Sequence, residues 1–306
     1  CCRKQRQPNT YQKQTLQRNS KTRTIQPSSY RIIIRNYSLM QNLRETDPSF
    51  WKVYRSPFEY RYATDAMRQV WGLENSWLKA RDVEIAVAGT QREAGIVSGE
   101  EYEDLVAQRN NINIGVILSR ELDRNDPRFS GHDVVAFISE YADKAPIGGR
   151  ILHQGMTSED LLSNVEILLT KESFGIVEKR LENTLGSFAQ RIEQHKDLVC
   201  PGYIHDQAAE PTTFGYRIAR YAQDLLTDLH TTRFFNGEIK GKGIKGAVGT
   251  SASFTHLLKG TGMSAREHEK KIMEKLGIDP VLISGQTYPR KYTLLTMVTL
   301  ASIGQT

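Results

Sequence analysis

Three of the seven histidines lie where an imidazole could exchange a proton with a ligand. His205 lies in VCPGYIHDQAAEPTTFGYR, between a Pro-Gly turn and a Pro-Thr-Thr segment typical of a helix start. His132, in GHDVVAF, and His153, in LHQGMTSED, also lie where a loop meets a helix. An imidazole titrates near neutrality and can act as acid or base. One such histidine more often caps a helix or bonds a carbonyl group, so the repetition of the pattern is what indicates a site.

A second set of residues carries hydrogen-bond donors that suit phosphate or carboxylate oxygens. Each member alone is typical of an ordinary surface, but beside three histidines the set predicts acid–base chemistry on a small anionic substrate. The glycine- and lysine-rich segment NGEIKGKGIKGAVGTSASF is interpreted either as a flexible solvated connector or as a loop that holds an anion. The set comprises Arg61, Tyr62, Thr157, Ser158, Gln286 and Arg290.

Sequence motifs argue against several other chemistries. There is no HExxH or HxxxH zinc pattern, no GxSxG elbow of a hydrolase and no GxxxxGK[ST] phosphate loop. The three cysteines form neither a disulfide framework nor a CxxC pair, so we expect a reducing, cytoplasmic compartment. We therefore expect no metal and no cofactor. We also expect no membrane span, because no stretch reaches about 18 apolar residues.

The elements that would position these residues are predicted to be helices. Apolar residues recur at steps of three and four over five regions, and nothing in the sequence indicates a sheet. Thr157 and Asp160 form a capping-box pattern ahead of about forty residues of helix, which would be about 60 Å long and would require equally long neighbours. The regions are 62–95, 133–144, 157–199, 212–234 and the C-terminal part, with AREHEKKIMEKLG and the stretch from Pro289 onwards.

Net charge separates the first 39 residues from the rest. This segment holds nine Lys or Arg and no Asp or Glu, whereas the whole chain of 306 residues has a net charge of only +6. We interpret residues 1–45 as a disordered basic tail or translated leader, with a targeting segment and a polyanion-binding arm as alternatives. Residues 46–148 are predicted to form a small helical N-terminal domain, and residues 149–306 a central long-helix bundle.

Six motifs in order resemble the adenylosuccinate lyases of the fumarase and aspartase superfamily. They are SPFEYRYATDAMRQVW, GHDVVAFISEYA, ILHQGMTSEDLLSNVE, PGYIHDQAAEPTTFGYR, KGIKGAVGTSASF and SGQTYPRK, and the likeness covers residues 52–306. The resemblance implies an all-α, long-helix bundle of the fumarase/aspartase type and a homotetramer whose sites are shared between subunits. It implies release of fumarate from adenylosuccinate, giving AMP, and from the succinylated imidazole carboxamide ribotide of purine biosynthesis. The implied partner is a small purine nucleotide, not a nucleic acid or a membrane.

The resemblance also implies a role for each site residue. His205 would be the catalytic acid that protonates the leaving nitrogen, while His132 and Asp133 would contact the substrate and His153 would assist. Thr157 and Ser158 would hold the succinyl carboxylates, Gln286 would bind substrate, and Arg61 and Tyr62 would hold the phosphate.

The chain also departs from that family. Ile204 and Asp206 flank His205, and Gly131 precedes His132, where relatives commonly have other residues. No segment matches the serine-bearing loop SSxMPxKxNP that supplies the family's base, and we expect the C-terminal domain to be missing. The chain is therefore interpreted as a truncated lyase, inactive alone. Its alternatives are an incomplete subunit that joins a complete lyase, or another fumarate-releasing lyase of the superfamily.

Overall fold

The computed structural model describes Tyr54 and residues 56–306, which fall into two units. The described part of the first unit ends at Ala63 and contains a π-helical turn, Phe58–Tyr62. The second unit is Thr64–Thr306. The predicted tail, residues 1–45, lies outside the described residues, and the predicted domain boundary after residue 148 stays a prediction.

The second unit is predominantly helical, as predicted. Among the described residues its only sheet is a two-stranded hairpin. The helices are α1 (Asp65–Val70), α2 (Leu73–Glu93), α3 (Gly99–Ala107), α4 (Ile114–Leu122), α5 (Asp133–Lys144), α6 (Ser158–Gln194), α7 (Phe214–Glu238), α8 (Ala252–Leu257), α9 (Ala265–Leu276) and α10 (Lys291–Gln305).

Helices α2 and α5 form a buried pair that runs in the same direction. Trp77 stacks on Phe137 with ring centroids 4.8 Å apart. One turn further along, the Arg81 guanidinium donates to the Glu140 carboxylate at 2.6 Å and lies 4.1 Å from the ring of Tyr141. Burial lowers the pKa of Arg81 and the Glu140 carboxylate opposes that shift. A buried cation needs such a partner, so this pair fixes the register of the two helices.

Helix α6 is 37 residues long, about 55 Å, which confirms the predicted long helix. Its first half is packed in the core, where Phe174 meets Phe235 of α7 edge to face at 5.6 Å. None of residues 182–194 is buried, and the same holds for residues 216–227 of α7. The far halves of α6 and α7 therefore form a two-helix arm with little core of its own.

The arm ends in a β-hairpin that the sequence analysis did not predict. Strand β1 (Val199–Ile204) pairs antiparallel with strand β2 (Gln207–Thr213), so the expectation of no sheet was wrong. Both strands are largely exposed on both faces, and the period-two alternation that signals a half-buried strand is therefore missing. Pro201 faces Pro211 beside a register shift, which further disguises the pair because proline is unusual inside a ladder.

Gly215 closes the base of this hairpin. A Cβ atom at this position would lie 2.7 Å from the carbonyl oxygen of Ile192 and 2.9 Å from Cα of Lys196. The start of α7 and the end of α6 can approach this closely only with glycine here. The N-cap is Thr213, whose hydroxyl accepts the N–H of Tyr216, so α7 begins two residues later than predicted.

Candidate active site

The N-terminal end of α6 carries three of the predicted site residues. Helix α6 begins at Ser158, with Thr157 as its N-cap, as predicted. The Thr157 N–H donates to the Asp160 carboxylate at 3.0 Å. His153 lies four residues before this cap, partly exposed, and its ring is held by Glu84 of α2. Two hydroxyl groups therefore lie at a helix N-terminus, with an imidazole four residues before it, and the backbone N–H groups and the helix dipole there favour an anion.

Asp160 joins this end of α6 to the glycine- and lysine-rich loop. Its carboxylate accepts the N–H groups of Lys245 at 3.0 Å and Gly246 at 2.9 Å, and the Lys242 ammonium at 2.5 Å. Lys242 and Asp160 are both fully buried. Lys245 in turn donates to Glu269 of α9, whose carboxylate also accepts the Ile244 N–H.

The interpretation of this loop as a flexible solvated connector is wrong for residues 241–246. Each of these residues is buried, and the ammonium groups of Lys242 and Lys245 are engaged by Asp160 and Glu269. The two lysines therefore do not form an exposed anion clamp. Of the residues that follow directly, Ala247, Val248 and Thr250 are exposed.

Gln286 lies in the connection between α9 and α10, at the same end of the molecule. Its side chain is exposed, and a Cβ at Gly249 would approach the backbone of Ser284 and Gly285, so the connection lies against the exposed part of the loop. Tyr288, two residues on, lines a cavity with Ile167 of α6. The connection that carries Gln286 therefore lies against the loop whose Gly246 N–H is bound by Asp160 of α6.

His132 and Asp133 lie elsewhere in the chain. His132 is the N-cap of α5, and its Nδ1 is 3.0 Å from Oδ1 of Asp133. The stacked pair Trp77 and Phe137 marks one level of the two helices. On α5, His132 lies five residues before that level. On α2, Glu84, which holds His153, lies seven residues after it. Because α2 and α5 run in parallel, about twelve residues of rise, or about 18 Å, separate these two histidines along the pair.

His205 lies beyond the opposite end of α6 from Thr157 and Ser158. It forms the tip of the hairpin with Asp206, and both have positive φ, 51° and 60°, as a two-residue type I′ turn requires. The side chain is exposed. Most of the ~55 Å length of α6 separates His205 from Thr157 within one chain.

Arg61 and Tyr62 belong to the first unit. Both end the π-helical turn Phe58–Tyr62, and both side chains are exposed. Their predicted role in binding a phosphate stays a prediction, as do the roles of the other site residues.

Glu84 is a residue near this site that the sequence analysis missed. It is 2% exposed, accepts the backbone N–H of His153, and lies 2.9 Å from the ring nitrogen Nδ1 of that residue. The sequence does place this carboxylate on the apolar face of α2. Glu84 lies one turn after Ala80 and next to Val83, and both of these residues are buried. A charged residue in such a position is rarely buried without a partner, although the pattern does not say which partner.

Neither metal ligation nor a membrane span has a candidate in the described part of the chain. No group of three or more His, Cys, Asp or Glu side chains is close enough there to hold a metal ion. No helix between residues 57 and 306 is long and apolar enough to cross a membrane.

Comparison with known proteins agrees with this fold. The chain matches the family described as Lyase over residues 59–291. It is 34% identical over 251 residues to the adenylosuccinate lyase of Methanocaldococcus jannaschii, covering 82% of the chain and 52% of that protein. It is 32% identical over 256 residues to the adenylosuccinate lyase of Schistosoma mansoni, covering 83% of the chain and 52% of that protein.

A solved structure shows the same fold. A fumarate lyase from Mesorhizobium sp. BNC1 superposes with a TM-score of 0.68 at 21% identity, over 83% of this chain and 56% of that one. The all-α bundle is therefore of the fumarase/aspartase type, as predicted. The chain belongs to the Lyase family, and its similar curated relatives are adenylosuccinate lyases. The chain spans about half the length of those relatives.

Proposed function

We propose that the protein is an adenylosuccinate lyase. The reaction breaks the C–N bond of adenylosuccinate to give fumarate and AMP, and the same elimination acts on the succinylated imidazole carboxamide ribotide of purine biosynthesis. The observation that carries the proposal is the start of α6, where Thr157 and Ser158 form the helix N-terminus and His153, held by Glu84, lies four residues before the cap. This arrangement suits a succinyl carboxylate, and the similar curated relatives carry the name of this activity.

The reaction needs a base, an acid and stabilising donors. A base removes the proton next to a carboxylate, donors stabilise the dianion that forms, and an acid protonates the departing nitrogen. We assign the acid to His205 and the succinyl carboxylates to Thr157, Ser158 and Gln286. His132 and Asp133 contact the substrate, His153 assists, and Arg61 and Tyr62 hold the phosphate. No cofactor takes part.

The site is proposed to be shared between subunits of a homotetramer. The support is the length of α6, which keeps His205 most of ~55 Å from Thr157 in one chain. A single chain cannot place both beside one small substrate, whereas chains packed side by side in opposite directions can.

Exposed apolar side chains on the long helices support this assembly. Leu294, Met297 and Val298 of α10 are 52%, 62% and 55% exposed, and Tyr221 and Phe234 of α7 are 62% and 72% exposed. Exposed large apolar side chains in this number are typical of an interface. A cytoplasmic location is part of the proposal, and the lack of a disulfide pattern among the three cysteines agrees with it.

Fumarate release tests the activity, with the 306-residue chain assayed beside the protein translated from its whole coding sequence. The panel holds adenylosuccinate, the succinylated ribotide and argininosuccinate. Turnover of the first two substrates only, by the protein from the whole coding sequence and not by the 306-residue chain, is the expected result. Turnover of argininosuccinate alone would identify another lyase of the superfamily.

The alternative to this proposal is an incomplete subunit that co-assembles with a complete lyase. For that protein we expect no turnover in either form and a change in the activity of an added complete lyase. Turnover by the 306-residue chain alone would rule this alternative out.

A further inference from the structure

Glu84 makes two contacts with a single residue, His153. Its Oε2 accepts the backbone N–H of His153 at 2.9 Å, and its Oε1 lies 2.9 Å from the ring nitrogen Nδ1. The carboxylate is 1% exposed, whereas the His153 side chain is 22% exposed. A buried carboxylate without such donors would be costly, so this two-point contact is a strong constraint.

The backbone around His153 is held in an unusual conformation. His153 has φ of 61°, in the left-handed region that favours glycine, and Gly155 follows with φ of 79°. The Ser253 hydroxyl donates to the carbonyl of Gly155 at 2.7 Å. A strained residue persists when its surroundings fix it from several sides, and such residues cluster at functional sites.

The chemistry of the two acceptors determines where the proton of the neutral ring lies. A backbone N–H can only donate, and an ionised carboxylate can only accept. Oε2 is engaged by the backbone, so the ring must present Nδ1–H to Oε1. The other ring nitrogen, Nε2, has no hydrogen-bond partner among the described residues and is left to meet a ligand.

We propose that Glu84 is a positioning residue that fixes the tautomer of His153, with Nδ1 protonated and Nε2 presented to the space beside the α6 cap. What Nε2 then does rests on the function proposed above: it contacts the substrate and can take up a proton while Nδ1–H stays on Glu84. A carboxylate that orients an imidazole in this way stabilises the charged ring once it forms. A carboxylate that only accepted the backbone N–H of His153 would hold the segment in place but would not fix the tautomer of the ring.

The nitrogen NMR spectrum of ¹⁵N-histidine-labelled protein tests this directly. At alkaline pH, where the ring is neutral, a protonated and an unprotonated ring nitrogen give distinct resonances, and His153→Gln assigns the signals. In the native protein we expect a protonated Nδ1. A protonated Nε2 would overturn the proposal even before any variant is made.

Glu84→Gln sharpens the test because an amide has one accepting and one donating end. We expect the amide oxygen to stay on the backbone N–H, which has no other option, so that the NH₂ group faces Nδ1. The tautomer should then reverse, with the proton moving to Nε2. An unchanged tautomer in Glu84→Gln would contradict the proposal, whereas Glu84→Asp should retain the native one.

Glu140→Gln is the matched control. Glu140 is also buried and also accepts two donors, Arg81 and the Asn113 N–H at 2.9 Å. Its amide variant should lower the free energy of unfolding but leave the His153 tautomer unchanged. Reversal in the control would show that lost stability alone moves the proton. The readout needs no turnover, so a failure of the proposed lyase activity is distinguishable from a failure of this inference.

Discussion

At the scale of single residues, Asp160 holds the cap of α6 and the glycine- and lysine-rich loop together. It accepts the Thr157 N–H, two N–H groups of the loop and the buried Lys242 ammonium. A buried ion pair adds little over an apolar pair of equal volume, but breaking one partner leaves an uncompensated charge. The predicted capping residue therefore has a second role that its spacing in the sequence did not reveal.

We expect Asp160→Asn to lower the free energy of unfolding by about 3 kcal/mol, because Lys242 stays buried without a counter-charge. Urea denaturation measures this, and Asp160→Asn combined with Lys242→Met should lose less than the sum of the single variants. Glu193→Gln, which breaks an exposed pair with Lys196, is the control and should change stability by less than about 1 kcal/mol. Additive losses at Asp160 and Lys242 would contradict the coupling.

His268 makes stability depend on pH. It is fully buried on α9 against Phe254, with neither ring nitrogen hydrogen-bonded, and burial lowers its pKa to about 4 from an ordinary value of 6.5. As pH falls, the unfolded chain takes up a proton on His268 before the folded chain does. The contribution of His268 to the free energy of unfolding is therefore complete above about pH 6.5 and is lost as pH falls towards 4. The expected loss is about 3 kcal/mol.

Unfolding of His268→Leu between pH 4 and 7 tests that assignment. The variant should show a flatter dependence of the free energy of unfolding on pH than the native protein. His230→Leu, at an exposed position of α7, should leave the slope unchanged. Equal slopes in the native protein and His268→Leu would rule out a buried neutral imidazole.

At the scale of elements, the hairpin holds His205 in a turn whose backbone conformation only some residues tolerate. A substitution that tests the role of the imidazole must therefore also fit the turn. Both turn residues have positive φ, which costs an ordinary L-residue roughly 1–2 kcal/mol, and less for Asn or Gly. His205→Asn should therefore keep the hairpin and abolish the proposed turnover. Asp206→Gly should retain turnover and gain about 1 kcal/mol of stability.

Fumarate release and urea denaturation of both variants give the two readouts. His205→Val adds a β-branched side chain at positive φ and is the control for damage to the turn, with an expected loss of about 1–2 kcal/mol. Full turnover in His205→Asn would exclude His205 as the acid.

Helices were the elements best predicted from the sequence, because periodicity and end signals agreed. Helix α5 begins at Asp133 and ends at Lys144 as predicted, and the long helix begins at Ser158 behind the Thr157 cap. The hairpin was missed because its strands bury neither face and its His-Asp turn lacks the usual Asn-Gly. The role of Glu84 was missed because its partner His153 lies 69 residues away, a contact that no local pattern encodes.

At the scale of the whole molecule, the exposed face of α10 predicts how chains associate. Leu294 and Val298 lie one turn apart and are both about half exposed. We expect Leu294→Glu with Val298→Glu to dissociate the proposed tetramer, because charges oppose burial in an interface. Sedimentation velocity measures the change, and Lys291→Glu, at the exposed start of the same helix, should leave the mass unchanged. An unaltered mass in the double variant would place the interface elsewhere.

The separation of His205 from Ser158 makes a composite site testable by mixing. His205→Asn and Ser158→Ala should each be inactive in the protein translated from the whole coding sequence. If a site takes these residues from different chains, random hybrids restore both native residues in about one quarter of the sites, a consequence of subunit symmetry. Unfolding and refolding the two variants together, then assaying fumarate release, should recover activity that neither refolded variant shows alone. Continued inactivity in refolded hybrid tetramers would mean that one chain supplies both residues, which the length of α6 opposes.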